Sequence, residues 1–149
     1  MHHSPGHYIS TVYRHLQIYI NNRFSELGFG SGQYLFFNHI SHSEGITQKE
    51  LSLRLAIDKA TTAKAVKKLV ELDYIKAVTG QEDRRCQNLF LTDKGSEILP
   101  QVRSILKETK DILHKGFSDR EIKLSLEFMD RMLSNITDEV LQHRSKNGR

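Results

Sequence analysis

Residues 47–72 read TQKELSLRLAIDKATTAKAVKKLVEL, and this stretch decides the fold. Thr47-Gln-Lys-Glu50 is a capping box: the threonine hydroxyl can accept from the third helical N–H, and the glutamate can reach back to the Thr47 N–H. Leu51, Leu53 and Leu55 alternate as a strand would. The cap, and the short distance to the next start signal, instead predict a short helix through Leu55. Ala56-Ile57-Asp58 turns the chain, and Asp58 caps a second helix over residues 59–72. On that helix Thr62, Ala65, Val66 and Leu69 form one face that docks it. Thr61, Lys64 and Lys68 form a row on another face, where hydroxyl and ammonium groups can meet base edges and phosphates.

Two stretches rich in strand formers follow, residues 74–79 and 87–91, with Gly80-Gln-Glu-Asp-Arg-Arg85 between them. This predicts a hairpin with a charged tip. Two short helices, a tight turn and a hairpin are the order of a winged helix-turn-helix. Arg84 and Arg85 then lie where a wing reaches a minor groove, whose narrow stretches concentrate negative potential. Asp83 is expected to pair with an arginine and hold the tip in shape.

Upstream, Ile9, Val12, Tyr13, Leu16, Tyr19 and Ile20 recur at helical spacing and predict a helix over residues 7–26. Leu27-Gly28-Phe29-Gly30 breaks it. Ser31 is expected to cap the next helix, whose apolar positions are Tyr34, Leu35, Phe37 and Ile40. Downstream, Thr92-Asp-Lys-Gly95 opens a long helix to residue 114, in which Pro100 should cause a bend or mark a shifted start. Ser118-Asp-Arg-Glu121 is a second capping box. The last helix carries Ile122, Leu126, Met129, Leu133, Ile136 and Val140. That seven-residue repeat wants a partner helix.

The chain has 149 residues, 38% of them hydrophobic and 27% charged, which suits one soluble, mostly α domain with a small wing. No apolar run approaches a membrane span of about 20 residues. A lone cysteine, Cys86, cannot form an internal disulfide, and this predicts a cytoplasmic protein. Net charge is +4, and residues 47–86 carry nine Lys/Arg against six acids, a local excess of +3 on the segment with the motifs.

Gly45-Ile-Thr-Gln-Lys-Glu-Leu51, Ile57-Asp-Lys-Ala-Thr61 through Leu69, Asp83-Arg-Arg85 and Leu89-Phe-Leu-Thr-Asp-Lys-Gly95 together resemble the MarR family of transcriptional regulators. The most specific element is the Asp-x-Arg wing followed by Leu-Thr-x-x-Gly. The likeness extends over nearly the whole chain and implies a single domain over 1–149. Within it, a winged-helix lobe at about 31–95 is flanked by dimerisation helices at about 7–26 and 96–142. It implies a homodimer that binds duplex DNA, with a recognition helix in each major groove and wings in the minor groove. The DNA-contacting set expected on this basis is Gln48, Lys49, Lys59, Thr61, Thr62, Lys64, Lys68, Arg84 and Arg85. Dimerisation is expected at Val12, Leu16, Leu126, Met129, Leu133, Ile136 and Val140. In related regulators small aromatic acids bind near the dimer helices, which nominates Tyr8, Tyr13, Tyr34 and Phe37 as lining for an effector. The expected activity is repression released by a small molecule. The chain departs from the family at Asp73, where many members have glycine, and at Leu53, where a polar residue is usual.

Other chemistries find less support. His39 and His42 are three apart, with Glu44 nearby, as in a metal-responsive member of the same family. There is no HExxH or Cys-x-x-Cys, so neither metal nor cofactor is expected. Cys86 is expected to be inert. No Ser-His-Asp pattern, phosphate loop or paired-carboxylate motif appears, so no enzyme is predicted. A winged-helix module for protein contacts is the alternative from another class; the basic row on the second helix favours DNA.

Overall fold

The computed structural model of the chain describes residues 4–80 and 84–147, with the backbone alone for 144–147. Its elements run α1 Pro5–Ser25, α2 Gln33–His42, β1 Ile46–Thr47, α3 Gln48–Leu55, α4 Lys59–Glu71, β2 Ile75–Thr79, β3 Gln87–Leu91, α5 Asp93–Leu113 and α6 Asp119–Asn147. The three strands form an antiparallel sheet of order β1-β3-β2, with Ile46 opposite Leu89 and Ile75 opposite Leu91. The chain divides into two compact units, one ending at Thr109 and the other beginning at Lys110.

The capping chemistry is as the sequence predicts. Glu50 N donates to Thr47 Oγ1 at 3.2 Å and Thr47 N donates to Glu50 Oε2 at 2.9 Å. Glu121 N and Ser118 Oγ, with Ser118 N and Glu121 Oε2, repeat the arrangement at α6. The helical reading of the alternating leucines also holds. Leu51 is fully buried while Leu53, two residues on, is 71% exposed. A strand would have set both on one face.

Two local features differ from expectation, and a third decides between alternatives. Ser31 does not cap α2. Gly32 stands at the cap position with φ 74° and no side-chain bond, and Ser31 Oγ instead accepts from Asn21 Nδ2 at 3.1 Å. Strand β1 was not foreseen, because two residues are too short to show a period. Helix α5 begins at Asp93 and runs through Pro100, so the proline marks no shifted start.

Asp73 takes the left-handed conformation, φ 59°, that glycine adopts elsewhere at helix ends. Its N–H donates to Val70 O at 2.9 Å and the Tyr74 N–H donates to Leu69 O at 3.0 Å. These two bonds make the Schellman closure of α4 with an aspartate in the glycine's place. Ala56, φ 52°, closes α3 in the same way through Ile57 N to Ser52 O at 3.1 Å.

The core of the first unit is made by Phe24, Phe37, Ile40, Leu51, Leu69, Ile75, Leu89 and Val102. Phe29 meets Phe24 and Phe37 edge-on at 5.6 and 5.4 Å, and Tyr74 lies 5.2 Å from Phe29. Burial raises the Tyr74 pKa, and its hydroxyl donates to Leu27 O at 2.6 Å.

Candidate nucleic-acid interface

Helix α4 is docked by Thr62, Ala65, Val66 and Leu69, all buried. Its start is fixed by Asp58, which accepts Thr61 Oγ1 at 2.7 Å and Thr61 N at 2.8 Å. Those two bonds, the hydroxyl first, hold the Asp58 carboxyl below the usual carboxylate range. Glu50 is lowered likewise, by the Thr47 backbone N–H and then its hydroxyl. The two consecutive helices of the motif therefore both carry ionised caps at neutral pH.

Of the expected DNA-contacting residues, Lys49, Lys59, Thr61, Lys64, Lys68, Arg84 and Arg85 are exposed and Gln48 is half-buried. Thr62 is not accessible. It is 0% exposed and its hydroxyl donates to Asp58 O at 2.9 Å, so it belongs to the docking face and offers no surface to a partner. Asp83 lies outside the described residues. Lys68 Nζ lies 3.2 Å from Glu71 Oε2, both half-exposed.

Lys67, which the sequence reading passed over, is exposed on α4 together with Ala60 and Ala63. At about 100° per residue, the line opposite the buried four runs through Ala60, Lys64, Lys67 and Glu71. Thr61 and Lys68 lie about 70–90° to one side. Projecting the whole helix from its docking face would have found Lys67.

The Leu-Thr-x-x-Gly run is structural. Gly95 is buried at the start of α5, and a β-carbon there would lie 2.0 Å from Tyr74 O. Thr92 Oγ1 donates to Asp73 O and accepts from Gly95 N at 2.9 Å. Lys94 Nζ donates to Leu72 O at 2.9 Å and sits 5.0 Å from the Tyr74 ring centroid. The start of α5 is thus bound to the residues that cap and follow the recognition helix.

The expected dimerisation residues divide. On α6, Leu126, Met129, Leu133, Ile136 and Val140 are all exposed, Leu133 at 64%. On α1, Val12 is exposed, while Leu16 is half-buried against the core of its own chain. The expected effector lining divides as well. Tyr8 and Tyr13 are exposed. Tyr34 is half-buried and stacked on Phe24 at 4.6 Å, with its pKa raised by burial. Phe37 is 0% exposed, packed among Phe29 and Tyr74, and lines no surface.

His39 is half-buried and His42 exposed. Among the described residues no three His, Cys, Asp or Glu side chains gather as a metal site. Cys86 is exposed beside the wing arginines. No helix among the described residues is long and apolar enough to cross a membrane.

Comparison with known proteins agrees with this geometry. The MarR family model matches residues 27–85, from the end of α1 to the wing. A MarR transcriptional regulator from Methanosarcina mazei Go1 is 41% identical, with 88% of this chain and 96% of that one covered, at a TM-score of 0.79. A putative MarR-family regulator from Listeria monocytogenes, solved with a 26mer DNA, is 26% identical over 93% and 92% of the two chains, at a TM-score of 0.86. The HTH-type transcriptional regulator YybA of Bacillus subtilis is 28% identical over 86% of this chain and 85% of its own. With a docked recognition helix, a wing and this likeness along nearly its whole length, the chain belongs to the MarR family of transcriptional regulators.

Proposed function

We propose that the chain is a cytoplasmic repressor that binds a pseudo-palindromic operator as a homodimer and is released by a small aromatic ligand. The single observation that carries DNA binding is α4, held by four buried side chains while it presents Lys59, Lys64, Lys67 and Lys68 outward. With α4 in the major groove, Lys64 faces bases, and Thr61 lies to one side of it near the groove wall. Gln48 and Lys49, at the start of α3, meet the backbone. Arg84 and Arg85 reach the adjacent minor groove. None of this uses enzyme chemistry.

Dimerisation is supported by the apolar row of α6 and by Val12 and Ile9 on α1, which are exposed in the single chain. A soluble protein rarely leaves an apolar row as long as that of α6 uncovered, and a second copy covers it. The lobe at about 31–95 then reads DNA, and the helices at about 7–26 and 96–142 join the protomers. Exposed Tyr8 and Tyr13 offer faces for an aromatic effector. A coupling of about 1–3 kcal/mol would change operator affinity roughly 5- to 150-fold.

The test joins assembly to binding. Sedimentation should give a dimer at micromolar concentration, and the dimer should bind one duplex with half-sites about one helical turn apart. Leu133→Asp should dissociate it and abolish operator binding. Arg85→Ala should weaken binding to every sequence alike, whereas Lys64→Ala should also alter sequence preference. A stable monomer, or a Leu133→Asp dimer that binds normally, refutes the homodimer.

A further inference from the structure

Resting on the proposed docking of α4 in the major groove, we infer that Lys67 is a specificity-determining residue that works beside Lys64. The pair selects G·C base pairs, and Thr61 and Lys68 serve to position the helix. Four observations carry this. First, Lys64 and Lys67 lie on the outermost line of α4, the part of a docked helix that reaches the groove floor, while Thr61 and Lys68 lie toward the groove wall, where phosphates are. Second, Lys68 shares its ammonium group with Glu71 at 3.2 Å. Third, the Thr61 hydroxyl proton is given to Asp58 at 2.7 Å, so Thr61 has no donor left for a purine acceptor. Fourth, Lys64 and Lys67 make no ion pair or hydrogen bond among the described residues, and both ammonium groups are available.

An ammonium group only donates, so it selects a base edge made of acceptors. In the major groove guanine presents N7 and O6 together, whereas adenine sets a donor beside its N7. Ala60 is short, so N-terminal to Glu71 the two lysines are the long side chains on the outermost line of α4.

The experiment starts from a duplex pool with a randomised centre, enriched on the wild-type protein. Affinity is then measured for the enriched duplex and for each single G·C→A·T variant, across a range of salt, with wild type, Lys67→Ala and Lys68→Ala. Both positions are exposed on a helix, where alanine is favoured, and circular dichroism checks the fold. Wild type should lose roughly ten-fold at a particular G·C pair in each half-site. Lys67→Ala should bind the enriched duplex more weakly and lose that penalty there alone. Lys68→Ala should bind all duplexes more weakly, keep every penalty and reduce the salt slope by about 1. Replacing that guanine with 7-deazaguanine should weaken wild type and leave Lys67→Ala unchanged. If Lys67→Ala keeps every penalty, or if the penalty disappears with Lys68→Ala, Lys67 is not a base reader. Failure to enrich any duplex overturns the DNA-binding proposal together with this one.

Discussion

Replacing Gly95 by alanine isolates the contact that joins α5 to the end of the recognition helix. The new β-carbon would lie 2.0 Å from Tyr74 O, a backbone atom that cannot swing aside. Carbon and carbonyl oxygen do not approach much closer than about 3.3 Å, so α5 and the segment after α4 must separate by about 1 Å. The same carbonyl accepts the Thr92 N–H at 3.2 Å, and Thr92 holds Asp73 O, so the separation strains both bonds. Overpacking costs about 1–3 kcal/mol and a weakened hydrogen bond about 1 kcal/mol. The gain from removing a helical glycine is about 1 kcal/mol. With both bonds weakened, the net expectation is a loss of about 2–4 kcal/mol, or roughly 5–15 °C in Tm for a chain of this size. Thermal and urea unfolding followed by circular dichroism, at one fixed protein concentration, gives the value. Gly6→Ala is the control: it is also in a helix, but its β-carbon would meet only Ser4 Oγ at 3.9 Å, so stability should hold or rise slightly. A Gly95→Ala protein as stable as wild type would show that the close approach does not constrain the fold.

Asp73→Gly should raise stability by about 0.5–1 kcal/mol, because Asp73 holds a left-handed φ of 59° that glycine adopts freely; an unchanged urea midpoint argues against it. The Asp58 and Glu50 carboxyls have folded pKa values below their unfolded ones, so the stability they add is present above the ordinary carboxylate pKa and is lost as pH falls through the folded value. Tm should therefore drop as pH falls from about 5 toward 3, and Asp58→Asn should flatten that drop. Operator binding should survive chelation of zinc. Loss of binding that zinc restores would promote His39 and His42 to ligands.

The helix starts at Thr47, Asp58 and Ser118 were legible because a cap needs only side chains three residues apart, whatever the rest of the chain does. The apolar repeat of α6 was legible because it is long. Ser31 failed as a cap by one position, since the left-handed turn at Gly32 could take the chain into α2 without a side chain. Strand β1 is visible only through its pairing with β3, a contact between residues some forty positions apart. Burial was the least legible property. Helical spacing placed Phe37 and Thr62 on plausible faces, but it could not say that Phe37 is enclosed by Phe29 and Tyr74. Nor could it say that Thr62 satisfies its hydroxyl on the Asp58 carbonyl and so can be buried. Lys67 was missed for the converse reason: a row drawn through Thr61, Lys64 and Lys68 follows hydroxyls and charges, whereas accessibility follows the direction away from Thr62 and Leu69.

The motif that gave the strongest family likeness has a mechanical meaning. Thr92, Lys94 and Gly95 touch Asp73, Leu72 and Tyr74 in turn, and all three partners lie in the few residues that end α4 and begin the wing. Leu-Thr-x-Lys-Gly is therefore a clamp on the back of the reading head. Its residues are demanded because glycine alone permits so close an approach to Tyr74 O, and because an ammonium group and a hydroxyl satisfy the carbonyls of Leu72 and Asp73, just past the end of the recognition helix. The residues proposed to face DNA carry no such demand. Lys64, Lys67 and Lys68 could be exchanged for other exposed side chains without altering what docks α4. The physics of this fold thus separates a clamp that must stay from a surface that is free to change, and operator preference can change on the outer line of α4 while the clamp is kept.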